Sequence, residues 1–152
     1  MALNTFAQST KIKSAEVNAN FQNLSDHGRN FTMKWAFAGT LTVTTTKDYI
    51  ALPDTGVISR VDLVCDTAPT GAAVIVDVER STDGGSTWVT IFTNQANRPQ
   101  VAISARTGNT TTIDVSGATE YTHLFRVAID QVGSTIAGAD LSVMIRGTYS
   151  LD

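Results

Sequence analysis

The sequence predicts an all-β protein, a jelly-roll-like antiparallel β-sandwich with a short N-terminal α-helical attachment segment. From about Gly39 onward, Thr, Val, Gly and Ala dominate, and apolar and polar residues alternate with the period of two that is typical of half-buried strands. Turn-forming residues interrupt this pattern at short, even intervals. The first thirty residues are instead rich in Asn, Lys and Gln with a helix-like spacing. We therefore divide the chain into an N-terminal segment, residues 1–38, and a sandwich domain, residues 39–152.

The composition fits one folded domain with a short appendage. The chain has 152 residues, of which 42% are hydrophobic and 16% charged, and this is enough apolar side chain for one core. Its 11 Lys and Arg residues against 14 Asp and Glu give a net charge of -3, which argues against a nucleic-acid partner. We also expect no membrane partner, because no apolar run approaches the length of a membrane span and the first residues lack the apolar core of a secretion signal.

A short helix is predicted at about residues 14–25. Ser14 is a good N-cap, and Val17, Phe21 and Leu24 recur at i, i+4 and i+7, so they fall on one stripe. A helix of this length with a single apolar stripe is not stable alone in water. It must pack against its own domain, or against a neighbouring subunit or a larger assembly, and the asparagines around the stripe favour the second.

The body is predicted to consist of short strands. The first runs, residues 40–46 and 48–52, end at a Pro-Asp-Thr-Gly turn, and a longer run follows at residues 57–66. Asp83-Gly84-Gly85 supplies the positive φ angles of a tight hairpin. Unequal strand lengths and long connections favour a jelly-roll-like sandwich over an up-and-down barrel. The other strands are predicted at residues 73–80, 87–93, 101–106, 110–115, 123–131 and 141–149.

The run at residues 57–66 shows how the faces are assigned. Val61, Leu63 and Cys65 alternate with Asp62 and Val64. The first three are expected to point into the core, and the other two to lie on a partly wet face.

Few residues indicate catalysis or metal binding. The two histidines, His27 and His123, are far apart, and Cys65 is the single cysteine, so neither a nucleophile triad nor a multi-thiolate zinc site is indicated. We interpret His123 as an ordinary half-buried ring. The turn at Asp83 has too few acidic ligands for calcium. We therefore expect no cofactor and no bound metal.

Two pairs of carboxylates and five aromatic residues leave alternatives open. Asp62 with Asp66, and Asp77 with Glu79, can each share one sheet face, as a glycosidase would need. Such pairs are more often the solvated face of an antiparallel sheet. The aromatic residues that can stack on a sugar are Trp35, Tyr49, Trp88, Tyr121 and Tyr149.

Two parts of the sequence resemble virion proteins of tailed bacteriophages. Residues 6–24, with Lys-Ser-Ala-Glu-Val-Asn-Ala-Asn-Phe at 13–21, resemble a segment near the start of tail-fibre, head-fibre and other appendage proteins. The body is similar to a phage jelly-roll module in its Ala-Pro-Thr-Gly run at 68–71, its Gly-Ser-Thr-Trp turn at 85–88 and its runs at 130–134 and 138–141. It departs from that module at residues 120–124, where a Gly-Asp step is expected.

The resemblance implies a non-enzymatic structural protein on the virion surface, either a capsid decoration or head-fibre protein or a component of a tail or baseplate fibre. Such modules typically assemble as homotrimers, and the N-terminal segment attaches them to other virion proteins or knits their subunits. The assembly residues that this implies are Ile12, Val17, Asn18, Asn20, Phe21 and Leu24. The alternative is a carbohydrate-binding module that recognises a host glycan, and a small glycosidase that uses the carboxylate pairs is a third hypothesis.

Overall fold

The computed structural model describes residues 29–46, 48–52, 54–115 and 123–150. Over these residues the protein is all-β, and one 3-10 turn at Gln95–Asn97 is the helical element of the described part. The predicted helix at residues 14–25 lies outside the described residues and stays a prediction. The strands are β1 Asn30–Thr40, β2 Thr44–Thr45, β3 Ile50–Ala51, β4 Gly56–Thr67, β5 Val74–Ser81, β6 Val89–Thr90, β7 Gln100–Val101, β8 Thr107–Thr110, β9 Leu124–Gln131 and β10 Ala139–Tyr149.

These strands form two antiparallel sheets. The four-stranded sheet has the order β1-β10-β4-β8, and the six-stranded sheet has the order β2-β9-β5-β6, with β3 paired to β9 and β7 paired to β5. Consecutive strands repeatedly change sheet, as between β1 and β2, β4 and β5, and β9 and β10. This connectivity excludes an up-and-down meander and is of the kind that double-sheet jelly rolls use.

Both sheets contribute to one hydrophobic core. In the four-stranded sheet, Leu63 of β4 lies opposite Val143 of β10. In the six-stranded sheet, Val76 of β5 lies opposite Ile129 of β9. All four side chains belong to the same buried cluster. Because side chains alternate along a strand, the residues between them lie on the outer face of each sheet, where the candidate sites are found.

Two expectations about single positions are confirmed. Cys65 is buried in the core, and burial raises the pKa of its thiol. Gly84 and Gly85 both adopt positive φ angles, of 71° and 95°, in the connection between β5 and β6. A side chain is strained in that backbone conformation, which is why glycine occupies this turn.

β1 is not among the predicted strands, because residues 30–38 were assigned to the N-terminal segment. In the structure this stretch forms most of an eleven-residue strand at the edge of the four-stranded sheet. Phe31, Met33 and Trp35 are buried in the core, and the polar residues between them are exposed. This period of two is visible in the sequence, but the change of composition that sets the predicted boundary falls about nine residues later, near Gly39.

Several predicted strand boundaries are wrong. In the run at residues 40–46, Thr40 ends β1, and a separate strand forms at Thr44–Thr45. The run at 101–106 leaves the sheet after Val101, because a turn follows in which Ser104 adopts a φ of 61°. The following strand is Thr107–Thr110 rather than residues 110–115. Beyond it, Val115 donates its backbone N–H to Ile91, which ties this stretch to the other sheet instead.

Candidate functional site

The assembly residues predicted from the resemblance precede the first described residue, Arg29. They lie outside the described part of the chain and stay a prediction. They are Ile12, Val17, Asn18, Asn20, Phe21 and Leu24. The candidate sites below are therefore those that the two sheets carry.

The first site is an ionic cluster on the outer face of the four-stranded sheet. Asp62 Oδ1 lies 2.6 Å from Arg60 Nε, and Asp62 Oδ2 lies 3.1 Å from Arg146 Nε on the neighbouring strand. Asp62 is only 8% exposed, whereas the sequence predicted a partly wet position. Arg60 lies on β4 with Asp62, so Arg146 is the residue that ties this carboxylate to β10. Each carboxylate oxygen lies within ion-pair distance of a guanidinium, although Oδ2 makes no hydrogen bond among the described residues.

The second predicted pair, Asp77 and Glu79, lies on the outer face of the six-stranded sheet. Thr90 Oγ1 donates a 2.6 Å hydrogen bond to Asp77, and Glu79 Oε2 lies 2.6 Å from Arg126 Nε. Burial raises the pKa of Asp77 above its ordinary value, and the charges of Asp130 and Glu79 act in the same direction, against the hydrogen bond from Thr90. Asp77 and Glu79 thus share one outer face, as the sequence predicted, while Asp62 and Asp66 belong to the other sheet.

An aromatic cluster lies beside Glu79 on the same outer face. The rings of Tyr49 and Trp88 have centroids 4.9 Å apart and are tilted by 43°. The guanidinium carbon of Arg126 lies 4.3 Å from the Trp88 ring centroid, within the range of a cation–π contact. We refer to Tyr49, Trp88, Arg126 and Glu79 as the aromatic cluster.

The connection between β5 and β6 fixes the position of Trp88. Asp83 accepts hydrogen bonds from Ser81 Oγ at 2.7 Å, from the Thr87 backbone N–H at 2.9 Å and from Thr87 Oγ1 at 2.7 Å. These bonds stabilise the carboxylate and lower the pKa of Asp83 to about 2. The indole N–H of Trp88 donates to the Gly85 carbonyl at 3.0 Å. The indole is thus held by the turn as well as by its ring neighbours.

The other aromatic candidates have different locations. Trp35 is 4% exposed and donates its indole N–H to the Asp48 carbonyl at 2.9 Å. Tyr149 packs against Phe31, with ring centroids 5.1 Å apart. Tyr121 lies outside the described residues. Of the five aromatic residues singled out from the sequence, the structure brings together Tyr49 and Trp88 on the surface.

A second ion pair lies further along the same face of the six-stranded sheet. Arg98 is hydrogen-bonded to Asp130, whose β9 position is two residues beyond Ala128. Ala128 lies directly opposite Asp77 on this face. Its side chain is only a methyl group, so no large side chain of β9 stands between the aromatic cluster and the Arg98–Asp130 pair. Because side chains alternate along β9, Arg126 and Asp130 lie on one side of that strand, and the fold decides which residues of other strands they meet.

A cavity of about 240 Å³ lies where β1 leaves the four-stranded sheet. Phe37, Leu41 and Ile129 line it together with Thr40, Thr42 and Thr44. No described charged side chain lines this cavity, so it offers shape and apolar contact but no charged group to orient a ligand.

Two further features bear on the classes of site that were considered. Among the described residues, no group of three or more His, Cys, Asp and Glu side chains is arranged to hold a metal ion. His123, which the sequence placed half-buried at the start of a strand, is buried next to β9.

No helix in the described ranges is long and apolar enough to cross a bilayer.

The described chain is thus an all-β protein of two antiparallel sheets around one core, with an ionic cluster on one outer face and an aromatic cluster on the other. It is similar in structure to the capsid asymmetric unit of the cyanophage Pam1, with 19% identity, a TM-score of 0.41, and coverage of 80% of this chain and 84% of that one. It is also similar to chitosan-binding module 1 of a chitosanase/glucanase from Paenibacillus sp. IK-5, with 16% identity, a TM-score of 0.39, and coverage of 77% and 76%. No protein-family model and no curated protein matches the chain. At these TM-scores, the functions of the two structures are not transferred to it.

Proposed function

We propose that this chain is a non-enzymatic structural protein of a tailed-bacteriophage virion, a homotrimeric surface appendage that its N-terminal segment attaches to other virion proteins. The resemblance of residues 6–24 to phage appendage proteins supports the attachment, and the resemblance of the body supports the assembly. The observation that best supports the proposal is that most of the described carboxylates bind groups of their own fold.

Most of the described carboxylates fasten strands and turns to each other. Asp62 of β4 holds its strand to β10 through Arg146, and Asp83 closes the turn between β5 and β6. Asp140 accepts a hydrogen bond of 2.8 Å from the backbone N–H of Gly39, more than a hundred residues away in the chain. Asp114 likewise accepts bonds from Asn94 and Asn97. Groups bonded in this way stiffen the module, and stiffness suits a protein that is displayed on a particle surface.

The outer face of the four-stranded sheet offers a surface on which copies of the chain can meet. Val57 is 42% exposed and Val64 39% exposed, and both lie on β4, an inner strand of this sheet. Thr148 lies opposite Val57, and Ser142 lies opposite Val64. The two valines lie on either side of the ionic cluster around Asp62. Exposed apolar side chains next to charged groups are suited to burial between subunits in which both kinds of contact are made. We place the contact between the body domains of the trimer on this face.

The solution mass tests this proposal. By light scattering, we expect the full chain to have about three times the 16.2 kDa mass of one chain. A shortened chain that begins at Arg29 retains β1 and should also be trimeric if the body domains form the contact. Val64→Lys should lower the mass to that of one chain, because it places a charge in the contact. The matched control is Val89→Lys, at a more exposed valine of the six-stranded sheet.

Each other outcome changes the proposal in a defined way. A trimeric full chain with a monomeric shortened chain would assign assembly to the N-terminal segment. A Val64→Lys chain that stays trimeric would remove the contact from this face. A full chain that is monomeric at all concentrations tested would contradict the homotrimer.

A second candidate function, recognition of carbohydrate on a host surface, is favoured by the aromatic cluster. Tyr49 is 48% exposed beside Trp88, and an aromatic pair at the surface offers both apolar ring area and the polar Tyr hydroxyl. This function is compatible with a virion appendage, since a structural module can also carry a binding surface.

A further inference from the structure

Tyr49 is the one aromatic residue among the large hydrophobic side chains that are exposed in the described part of the chain. Its ring packs against Trp88, which is itself in contact with Arg126. Tyr49 as a whole nevertheless remains 48% exposed. An aromatic ring that is supported from one side and open on the other provides a flat apolar surface with a polar hydroxyl at its tip.

We propose that the aromatic cluster is a binding site for the pyranose rings of a non-acidic oligosaccharide, with the open surface of Tyr49 as its stacking platform. A pyranose presents one or both faces as C–H groups, and its hydroxyls project from the rim. It therefore needs an apolar surface for the ring and hydrogen-bonding groups at the edge, and sites of this kind combine aromatic side chains with a few placed polar groups. This inference rests on the second candidate function, carbohydrate recognition, and does not depend on the trimer.

The polar groups at the edge of the platform are already oriented. Glu79 and Arg126 form an ion pair with side chains about one-fifth exposed, so their free lone pairs and N–H groups can reach a sugar hydroxyl at the rim of the ring. Arg126 is also held against Trp88, and Trp88 is hydrogen-bonded to the turn. Because these side chains are fixed before a ligand arrives, little conformational entropy is lost on binding.

The charges on this face exclude acidic sugars. Glu79 is paired with Arg126 and Asp130 with Arg98, whereas Asp77 accepts hydrogen bonds from two neutral groups, the Thr90 hydroxyl and the Val78 backbone N–H. The face therefore carries a net negative charge. A uronic or sialic acid would be repelled by it, whereas a neutral sugar or an amino sugar would not.

The chain has two tryptophans, and their locations provide a reporter for this site. Trp35 is buried in the core and Trp88 lies in the aromatic cluster. In an NMR spectrum of the ¹⁵N-labelled full chain, the two indole N–H signals can be assigned with a Trp88→Phe chain. The labelled chain is titrated separately with a glucose oligomer, a glucosamine oligomer and a galacturonate oligomer. We expect the glucose or the glucosamine oligomer, or both, to shift the Trp88 signal, and the Trp35 signal to stay unchanged in every titration.

Two variants test whether Tyr49 forms the platform. Tyr49→Ala should weaken binding by about tenfold or more, as truncation of a central aromatic contact commonly does. Ile136→Ala is the matched control, because Ile136 has the same 48% exposure but belongs to the turn that pairs with Thr70. Binding to the control chain should equal binding to the parent chain.

The outcomes separate the site from the function. If an oligosaccharide binds but the Trp88 signal and the affinity of Tyr49→Ala do not change, carbohydrate recognition stands and this site is wrong. If none of the three oligomers binds, both are wrong. Binding of the galacturonate oligomer alone would overturn the charge argument. If Tyr49→Ala instead lowers the solution mass of the chain, the ring belongs to a protein contact, and the proposal falls.

Discussion

Replacement of Trp35 by alanine tests whether β1 is part of the core. The indole is almost fully buried, so the change removes its transfer free energy and leaves a cavity, which together cost about 3 to 5 kcal/mol for a buried aromatic side chain. It also leaves the Asp48 carbonyl without the indole N–H, which bonds it at 2.9 Å. Asp48 is exposed, so water can replace that bond and the cavity dominates the loss. Total stabilities of domains of this size are about 5 to 15 kcal/mol, so the loss is a large share of the whole.

Urea unfolding followed by far-ultraviolet circular dichroism measures this loss. Trp35→Phe should cost less than Trp35→Ala, because the phenyl ring fills most of the space and only the hydrogen bond and part of the ring are lost. Thr32→Ala, at an exposed position of the same strand, is the control and should change the free energy of unfolding by about 0.5 kcal/mol or less. If Trp35→Ala unfolds within about 1 kcal/mol of the parent chain, β1 is not part of the core in solution.

Four further predictions follow from particular positions. A chain that begins at Gly39 should lack a cooperative unfolding transition, whereas one that begins at Arg29 should keep it, because β1 supplies buried side chains to the core. The pKa of Asp83 falls to about 2 in the folded chain from an ordinary value of 3.8; its carboxylate therefore stabilises the fold above pH 3.8, and this contribution is lost as the pH falls toward 2. The melting temperature of Asp83→Ala should accordingly fall less than that of the parent chain over this range, and an equal fall in both would contradict the assignment. Gly147→Ala should destabilise the fold by about 1 to 3 kcal/mol in urea, because a Cβ there would lie 2.2 Å from the Val57 carbonyl oxygen. The Cys65 thiol should react with a thiol reagent only after denaturant is added, since it is buried and its pKa is raised.

The sequence was most informative where a strand has one buried face and sufficient length. β4, β5, β9 and β10 were predicted within a few residues, because β-branched residues at every second position specify both the conformation and the buried face. Prediction was poorest for two-residue strands such as β2 and β7, which are defined by pairing with β9 and β5. Pairing with a distant strand leaves no local pattern in so short a stretch.

The location of β1 shows a different kind of error. Its alternating Phe31, Met33 and Trp35 were available in the sequence, but composition drew the domain boundary at residue 39. Composition averages over a window, so it cannot detect that a polar stretch gives way to a strand at Asn30. The predicted assembly residues between Ile12 and Leu24 lie outside the described residues, and they remain a prediction from the resemblance.

The sequence by itself determined three features: the body is all-β, Cys65 lies in the core, and Gly84 and Gly85 form a turn. Each of these depends on a local pattern or on the conformational range of one residue type. Only the tertiary structure decided which side chains meet. Tyr49, Trp88 and Arg126 come from three separate parts of the chain, and they share a surface because β3, the turn before β6 and β9 converge on one sheet. Asp62 is buried for the same reason, since the arginine of a neighbouring strand lies over it. Strand order and register determine which side chains are in contact. Both depend on contacts between residues far apart in the sequence, and a local sequence pattern does not specify such contacts.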